Sequence, residues 1–373
     1  MDTGVASSEG RWYLIVHGGY GRKKRGATAR SAMMEALFLH GPRDARVLPF
    51  NLRQAGPDEV LVEVAAVGIC GSDLHYYKDG GIGAAVIRRP FVPGHEFGGY
   101  LADDLPARGL ARGTLVAVDP NRGCGQCEWC REGHFNLCPQ AAFIGAPPID
   151  GAMTGRLWVP APQVVTLPPA FTPLEAVMLE PLGVAIHAVD LAAPRLLERV
   201  VVLGAGPVGL LILQVLKLAG SGEVCVVEPL AHRRDMAGRL GAAAVGASVA
   251  DIPGWSDGRG FSLVVEATNS PLGFRDAVLS ARIGGRIVLV GIPDGDAYTL
   301  PAAEARRRAL KIKFARRMGE VYPRAIELVA SGRVDVTTPV THRLGLAAAA
   351  GAFRALADNA PGYVKVLIYP NQQ

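Results

Sequence analysis

The sequence predicts an α/β protein of two domains, one of them built on a doubly wound parallel sheet. Three observations carry this reading. The chain has 373 residues, 49% of them hydrophobic, which is enough for two ordinary cores. Residues 200–229 pass from a β-branched apolar run through a glycine-rich turn into an apolar helix, then into a second apolar strand. Downstream, FSLVVEAT (261–268) and GRIVLVGI (285–292) read as buried parallel strands with a helix from Ser270 to Ala281 between them. ALKIKFA (309–315) reads as one more strand.

From the N-terminus onward, the first segment differs from the rest. Residues 1–32 hold six Lys and Arg (Arg11, Arg22, Lys23, Lys24, Arg25, Arg30) against Asp2 and Glu9. They therefore account for +4 of the net charge of +5 and leave +1 for the body. A body so nearly neutral has no field for holding nucleic acid. GGYGRKKRG reads as a solvated, disordered basic extension, with an RNA- or membrane-binding arm as the other reading. Foldable periodicity begins with EALFLHGP, so Met33 or Met34 reads as the start. Only Trp12–Val16 is apolar near the N-terminus, which is too short for a secretory signal. The membrane-like stretch 200–220 contains glycines, Pro207 and Lys217, and reads as strand, turn and buried helix. These features predict a soluble, cytoplasmic protein whose thiols stay reduced, a setting in which clustered cysteines bind metal.

Four of the six cysteines fall within CGQCEWCREGHFNLC. Cys124, Cys127, Cys130 and Cys138 follow the spacing C-x2-C-x2-C-x7-C. Four thiolates on a tight loop saturate a tetrahedral zinc ion and leave no position for water, so this lobe (about 121–140) reads as a structural site that stores stability. A second set is scattered. GICGSDLHYY supplies Cys70, Ser72, Asp73, His75 and Tyr76, GHEFGGY supplies His95 and Glu96, and LEPLGVAIHA supplies Glu180. One thiolate, one imidazole and carboxylates from separate segments suit a zinc ion with a position left for water or substrate.

In VVVLGAGPVGLLILQ, the run Gly204-x-Gly206-x-x-Gly209 follows a strand and opens a helix, and Glu228 ends the next strand. That context is the one a dinucleotide site requires. Gly204 permits the turn, Gly206 lets a pyrophosphate approach the backbone beside Pro207 and Val208, and Gly209 lets helix pack on strand. Pro207 suits the first helical turn. Glu228 would accept both ribose hydroxyls of NAD and repel the 2′-phosphate of NADP. Arg233 and Arg234 point the other way, since they could neutralise a phosphate. Cys225, inside the apolar strand, reads as a core thiol.

With these motifs in place, the body from Met33 onward resembles the zinc-dependent medium-chain dehydrogenase/reductase family, the alcohol and polyol dehydrogenases. The resemblance implies a GroES-like, β-rich catalytic domain over 33–183 and 318–373, and a Rossmann domain over 184–317. It also implies a homo-oligomer, dimer or tetramer. Cys70 and His95 match catalytic zinc ligands. Glu180 stands where simple alcohol dehydrogenases have cysteine and resembles the sorbitol and L-idonate 5-dehydrogenase branch, in which Glu96 ligates and the second glutamate binds directly or through water. Which carboxylate is inner-shell stays open. Asp73 matches the carboxylate that orients the histidine. Ser72 and His75 match a proton relay to solvent, and Tyr76, Phe143 and Arg317 match substrate contacts. Two zinc ions per subunit, NAD and a polyol or sugar-acid substrate follow, with oxidation of a secondary hydroxyl as the reaction; L-threonine and butanediol dehydrogenases share much of the pattern. A zinc-ribbon nucleic-acid binder would leave the glycine fingerprint and Glu228 unexplained, and a zinc-free quinone reductase would need neither Cys70 nor the lobe.

Overall fold

The strand Glu59–Gly68, VLVEVAAVG in its apolar part, is the spine of a mixed seven-stranded sheet in the computed structural model, which describes residues 34–295 and 297–372. The expected basic extension 1–32 lies outside these residues. Along the sheet the order is Val164–Thr166, Leu115–Val118, Glu96–Leu101, Glu59–Gly68, Lys365–Tyr369 and Val340–Gly345, with Arg156–Pro160 also paired to Glu59–Gly68. Most pairs are antiparallel, and the last two strands run parallel. C-terminal residues thus return to the sheet made by the N-terminal half.

The second sheet has six strands, all parallel, in the order Ala244–Gly246, Val224–Val227, Val200–Leu203, Phe261–Glu266, Ala281–Leu289 and Lys311–Phe314. Numbered along the chain this is 3-2-1-4-5-6, the doubly wound order. Its central strands are buried on both faces, which is why they read as unbroken Val/Leu runs. The predicted membrane-like stretch resolves into the strand Val200–Leu203 and the helix Pro207–Leu218. No helix among the described residues is long and apolar enough to cross a membrane.

Two boundaries differ from expectation. The helix read over 270–281 spans Gly273–Ser280, and the strand read over 285–292 runs Ala281–Leu289. Val290 and Ile292, on either side of Gly291, leave the sheet although they look β-forming. Gly291 packs so close to the Thr268 carbonyl that an added Cβ would lie 1.8 Å from its oxygen. Residue identity there reflects that close approach rather than strand pairing.

A long helix, Pro173–Ala192, joins the two sheets. Its start is legible in TPLE: Thr172 caps the amide of Glu175, and the Glu175 carboxylate accepts from the Thr172 amide at 2.7 Å. It is continuous through 183–184, so the expected domain boundary falls inside it. Its apolar face and residues of both sheets form one core cluster, which includes Ala66, Ala117, Leu182, Val200 and Leu213. Cys225 is buried in that parallel sheet, as read from sequence.

Candidate metal centre and cofactor cleft

Cys70 lies two residues past the strand Glu59–Gly68, at the N-cap of the helix Gly71–Asp79. Asp73, three residues into that turn, takes the Cys70 amide on Oδ2 at 2.9 Å, so the Cys-Gly-Ser-Asp step fixes both side chains at once. His95 and Glu96 enter from the start of the neighbouring strand Glu96–Leu101. Ligand atoms of Cys70, His95 and Glu96 lie within 4.8 Å of one another. His95 Nδ1 is buried, lacks a hydrogen bond among the described residues and stands 3.7 Å from Asp73 Oδ1. Burial opposes the charged imidazole, but Cys70 and Asp73 outweigh it and hold the ring's pKa well above its ordinary value. A thiol, an imidazole and a carboxylate at this spacing, with a carboxylate behind the ring, fit zinc.

Glu180, projecting from the joining helix, lines the same cleft but does not belong to that mutual group of three. Burial pushes its carboxyl up to about 7. Glu96 is paired instead with Lys365: the Lys365 ammonium donates to Glu96 Oε2 and, at 3.0 Å, to the Ile69 carbonyl, with both side chains 1% exposed. Sequence reasoning missed Lys365. Its only signal is a lysine on the inward side of VKVLIYP.

The cleft has a volume of about 1200 Å³ and opens at the C-terminal ends of the parallel strands, where the strand order reverses. Gly204, Gly206, Pro207, Val208, Glu228 and Arg233 line it together with Cys70, Ser72, His75, His95, Glu96 and Glu180. Gly204 has φ +97°, and a Cβ on Gly209 would sit 2.1 Å from the Gly204 carbonyl oxygen, so Gly209 serves packing and lies behind the cleft. A Cβ on Gly206 would meet nothing within 4 Å. Pro207 starts its helix. Glu228 is buried just past its strand and accepts the amides of Ala205 (2.8 Å) and Leu230 (2.9 Å). The two arginines separate: Arg233 lines the cleft, whereas Arg234 turns back onto the carbonyls of Glu228 and Pro229 at 2.7 Å.

His75 is buried, with Nε2 3.0 Å from the Ile292 carbonyl oxygen and Nδ1 3.3 Å from Asp79 Oδ2 and 3.5 Å from Asp294 Oδ1. Asp294 also accepts from Lys78 at 2.5 Å, so this cluster already contains its cation. Tyr76, Phe143 and Arg317 meet in the cleft. Burial raises the Tyr76 phenol to about 12. The Arg317 guanidinium lies 4.2 Å over the Phe143 ring and donates to Asn121 Oδ1 at 2.7 Å; Phe143 in turn sits 5.2 Å from the His95 ring. Burial and the neighbouring Arg316 lower the Arg317 pKa.

The four lobe cysteines bring their sulfurs within 4.8 Å of one another. Amides of Cys127 and Cys124 donate to the sulfurs of Cys124 (3.4 Å) and Cys138 (3.3 Å), and the amides of Gln126 and Cys127 pull the Cys124 thiol down to about 6. A Cβ on Gly123 would meet Cys130 Sγ at 2.7 Å, which explains the glycine. Four sulfurs with no other ligand type among them fit a closed zinc site.

Residues 56–169 match the family described as alcohol dehydrogenase GroES-like domain, and residues 207–331 match zinc-binding dehydrogenase. Sorbitol dehydrogenase from Bacillus subtilis is 32% identical over 345 residues, which cover 91% of this chain and 98% of that protein. L-idonate 5-dehydrogenase from Escherichia coli superposes with a TM-score of 0.80 at 26% identity, covering 90% of this chain and 98% of that one. A Sinorhizobium meliloti structure described as a zinc-binding dehydrogenase bound to NADP gives a TM-score of 0.79 at 30% identity, covering 91% and 100%.

Proposed function

The chain belongs to the zinc-binding dehydrogenase family of GroES-like alcohol dehydrogenases, and from that premise we propose that it oxidises a secondary hydroxyl of a polyol or sugar acid with NAD. One observation carries the proposal: Cys70, His95 and Glu96 form a compact donor set on the same cleft as Gly206 and Glu228. Cys70, His95 and Glu96 would hold the cleft zinc, with Glu180 facing it, and Cys124, Cys127, Cys130 and Cys138 would hold the second. When bound, the zinc supplies Lewis acidity towards a hydroxyl and the nicotinamide takes up a hydride.

The chain's own residues do the rest. Asp73 keeps the His95 ring in orientation, and Lys365 neutralises Glu96 inside an apolar sheet. Ser72 and His75 carry the hydroxyl proton outward. His75 faces Asp79 and Asp294, each a little over two-fifths exposed (44% and 43%), and these two carboxylates are the exit to water. Tyr76, Phe143 and Arg317 position the substrate, and the polar character of Ser72, His75, Tyr76 and Arg317 favours a hydroxylated one.

NAD is supported by Glu228, whose buried carboxylate ends the second strand where a ribose diol would meet it, and by Arg234 turning away from the cleft. By the sequence resemblance the protein is also a homo-oligomer, dimer or tetramer, which light scattering on the purified protein would check. The test of the whole is a panel of polyols, sugar acids, diols and amino-alcohols with NAD and with NADP, monitored for reduced cofactor. The expected result is turnover of a polyol or sugar acid with a clearly higher kcat/KM for NAD. An equal or higher value with NADP would mean that Arg233 outweighs Glu228. Reduction with none of the panel would contradict the substrate class.

A further inference from the structure

Two asparagines of the four-cysteine lobe hold the Arg316–Arg317 step, which lines the cleft. Asn136, buried in the short turn Phe135–Leu137, donates from Nδ2 to the Arg316 carbonyl at 3.0 Å. Asn121, buried at the base of the lobe, accepts the Arg317 guanidinium on Oδ1 at 2.7 Å. Asn121 is itself tied down on three sides. Its amide donates to Asp119 at 2.9 Å, its Nδ2 donates to the Phe135 carbonyl at 3.4 Å, and its backbone pairs with Phe143 in a short antiparallel ribbon.

The segment these asparagines grip is one that needs gripping. Arg317 has φ +53°, a left-handed conformation disfavoured for a residue with a Cβ and kept only where the surroundings impose it. The same residue carries a cation into a half-buried cleft and stacks it on Phe143, the ring next to His95. Asn136 constrains the backbone of the Arg316–Arg317 step, and Asn121 constrains the side chain. Both constraints come from one element, separated from the arginines by 180 and 196 residues of sequence.

We propose that the four-cysteine lobe positions Arg317 for substrate, with Asn121 and Asn136 as the positioning residues. The lobe then does more than store stability: its shape sets how well the cleft holds a hydroxylated or acidic substrate. The proposal rests on Arg317 being a substrate contact, and its test separates the two claims. Asn121→Leu, Asn121→Asp, Asn136→Leu, Arg317→Ala and the double variant Asn121→Leu/Arg317→Ala are compared in the full protein. KM and kcat are measured for the polyol that the wild type turns over best and for 2-propanol, which has no second hydroxyl, together with NAD affinity by fluorescence titration.

A neutral acceptor on a guanidinium is a charge-assisted bond, so Asn121→Leu and Arg317→Ala should each raise the polyol KM on the order of 10-fold. For both variants the rise in KM should be larger for the polyol than for 2-propanol, which offers no second hydroxyl to the arginine, and the NAD affinity should stay within about twofold of wild type. Asn121→Asp keeps the acceptor for the guanidinium but loses the donor to the Phe135 carbonyl, so its rise in polyol KM should be smaller than that of Asn121→Leu, and the double variant should be no worse than Arg317→Ala alone. Asn136→Leu should raise the polyol KM in the same way, and if it fails to fold, the Asn121 pair carries the test. If Arg317→Ala raises the polyol KM while Asn121→Leu leaves it unchanged, or if the two effects add in full, the lobe does not position the arginine. An Arg317→Ala variant with an unchanged polyol KM would overturn the substrate role and this proposal together.

Discussion

The four-cysteine lobe takes all its sulfurs from fifteen consecutive residues, 124–138, whereas Cys70, His95 and Glu96 arrive from the ends of two strands and owe their charge balance to Lys365, 269 residues beyond Glu96. The lobe sulfurs are mostly half-exposed, and backbone amides of the same loop donate to two of them. In the cleft cluster His95 and Glu96 are buried beside a half-buried Cys70, and the carboxylate needs a buried ammonium. A local site can be closed by turns alone. A site assembled from distant segments must also offset the cost of desolvating its charges.

The largest effect that would separate the two clusters is on catalysis. His95→Ala should cut kcat by more than about 10³-fold while NAD affinity stays near wild type, because the ring serves the metal cluster and not the glycine fingerprint. Stopped turnover with an unchanged NAD titration is the expected pair of readings. Next, Lys365→Met tests the cost of the buried charge. It leaves the Glu96 carboxylate without its partner, and should destabilise the metal-free protein by about 3–5 kcal/mol in urea titration. Adding Glu96→Gln should restore most of that loss. If Lys365→Met alone is neutral, the pair does not hold the sheet together.

On the lobe side, Cys127→Ser should lower the melting temperature by about 5 °C or more, since a metal-bound loop contributes its binding energy to folding. The remaining soluble protein should still bind NAD. The smallest expected effect belongs to Asp119, between the two clusters. Burial raises its pKa from 3.8 to about 6, opposed by the Asn121 amide and the charge of Arg317. The folded state therefore holds the proton longer than the unfolded state, and stability should fall as pH rises from about 4 to 6. Asp119→Asn should remove that slope and raise the melting temperature at neutral pH by a few degrees at most, as scanning calorimetry at several pH values would show.

The same contrast explains what could be read in the sequence. The glycine fingerprint and the cysteine spacing are local codes in which a few adjacent residues dictate a backbone path. Cys70, Ser72, Asp73 and His75 were legible as a group because one turn carries them. Lys365 was not, because a lysine at the start of an apolar strand looks like a snorkelling residue until its partner is known. The surroundings of His75 were hidden for a related reason. Val290–Ile292 has strand composition, yet the chain leaves the sheet there and brings the Ile292 carbonyl and Asp294 over the imidazole. Asn121 and Asn136 carried no signal at all, since each acts on an arginine more than a hundred residues away.

If the two clusters are independent zinc sites and only the cleft one turns over substrate, zinc content and NAD reduction measured side by side on the wild type, His95→Ala and Cys127→Ser will separate them. Two zinc ions per chain are expected in the wild type and one in each variant. Polyol-dependent NAD reduction should vanish in His95→Ala and persist, at least in part, in the soluble fraction of Cys127→Ser. Two zinc ions retained in His95→Ala with undiminished turnover would contradict the two-site reading.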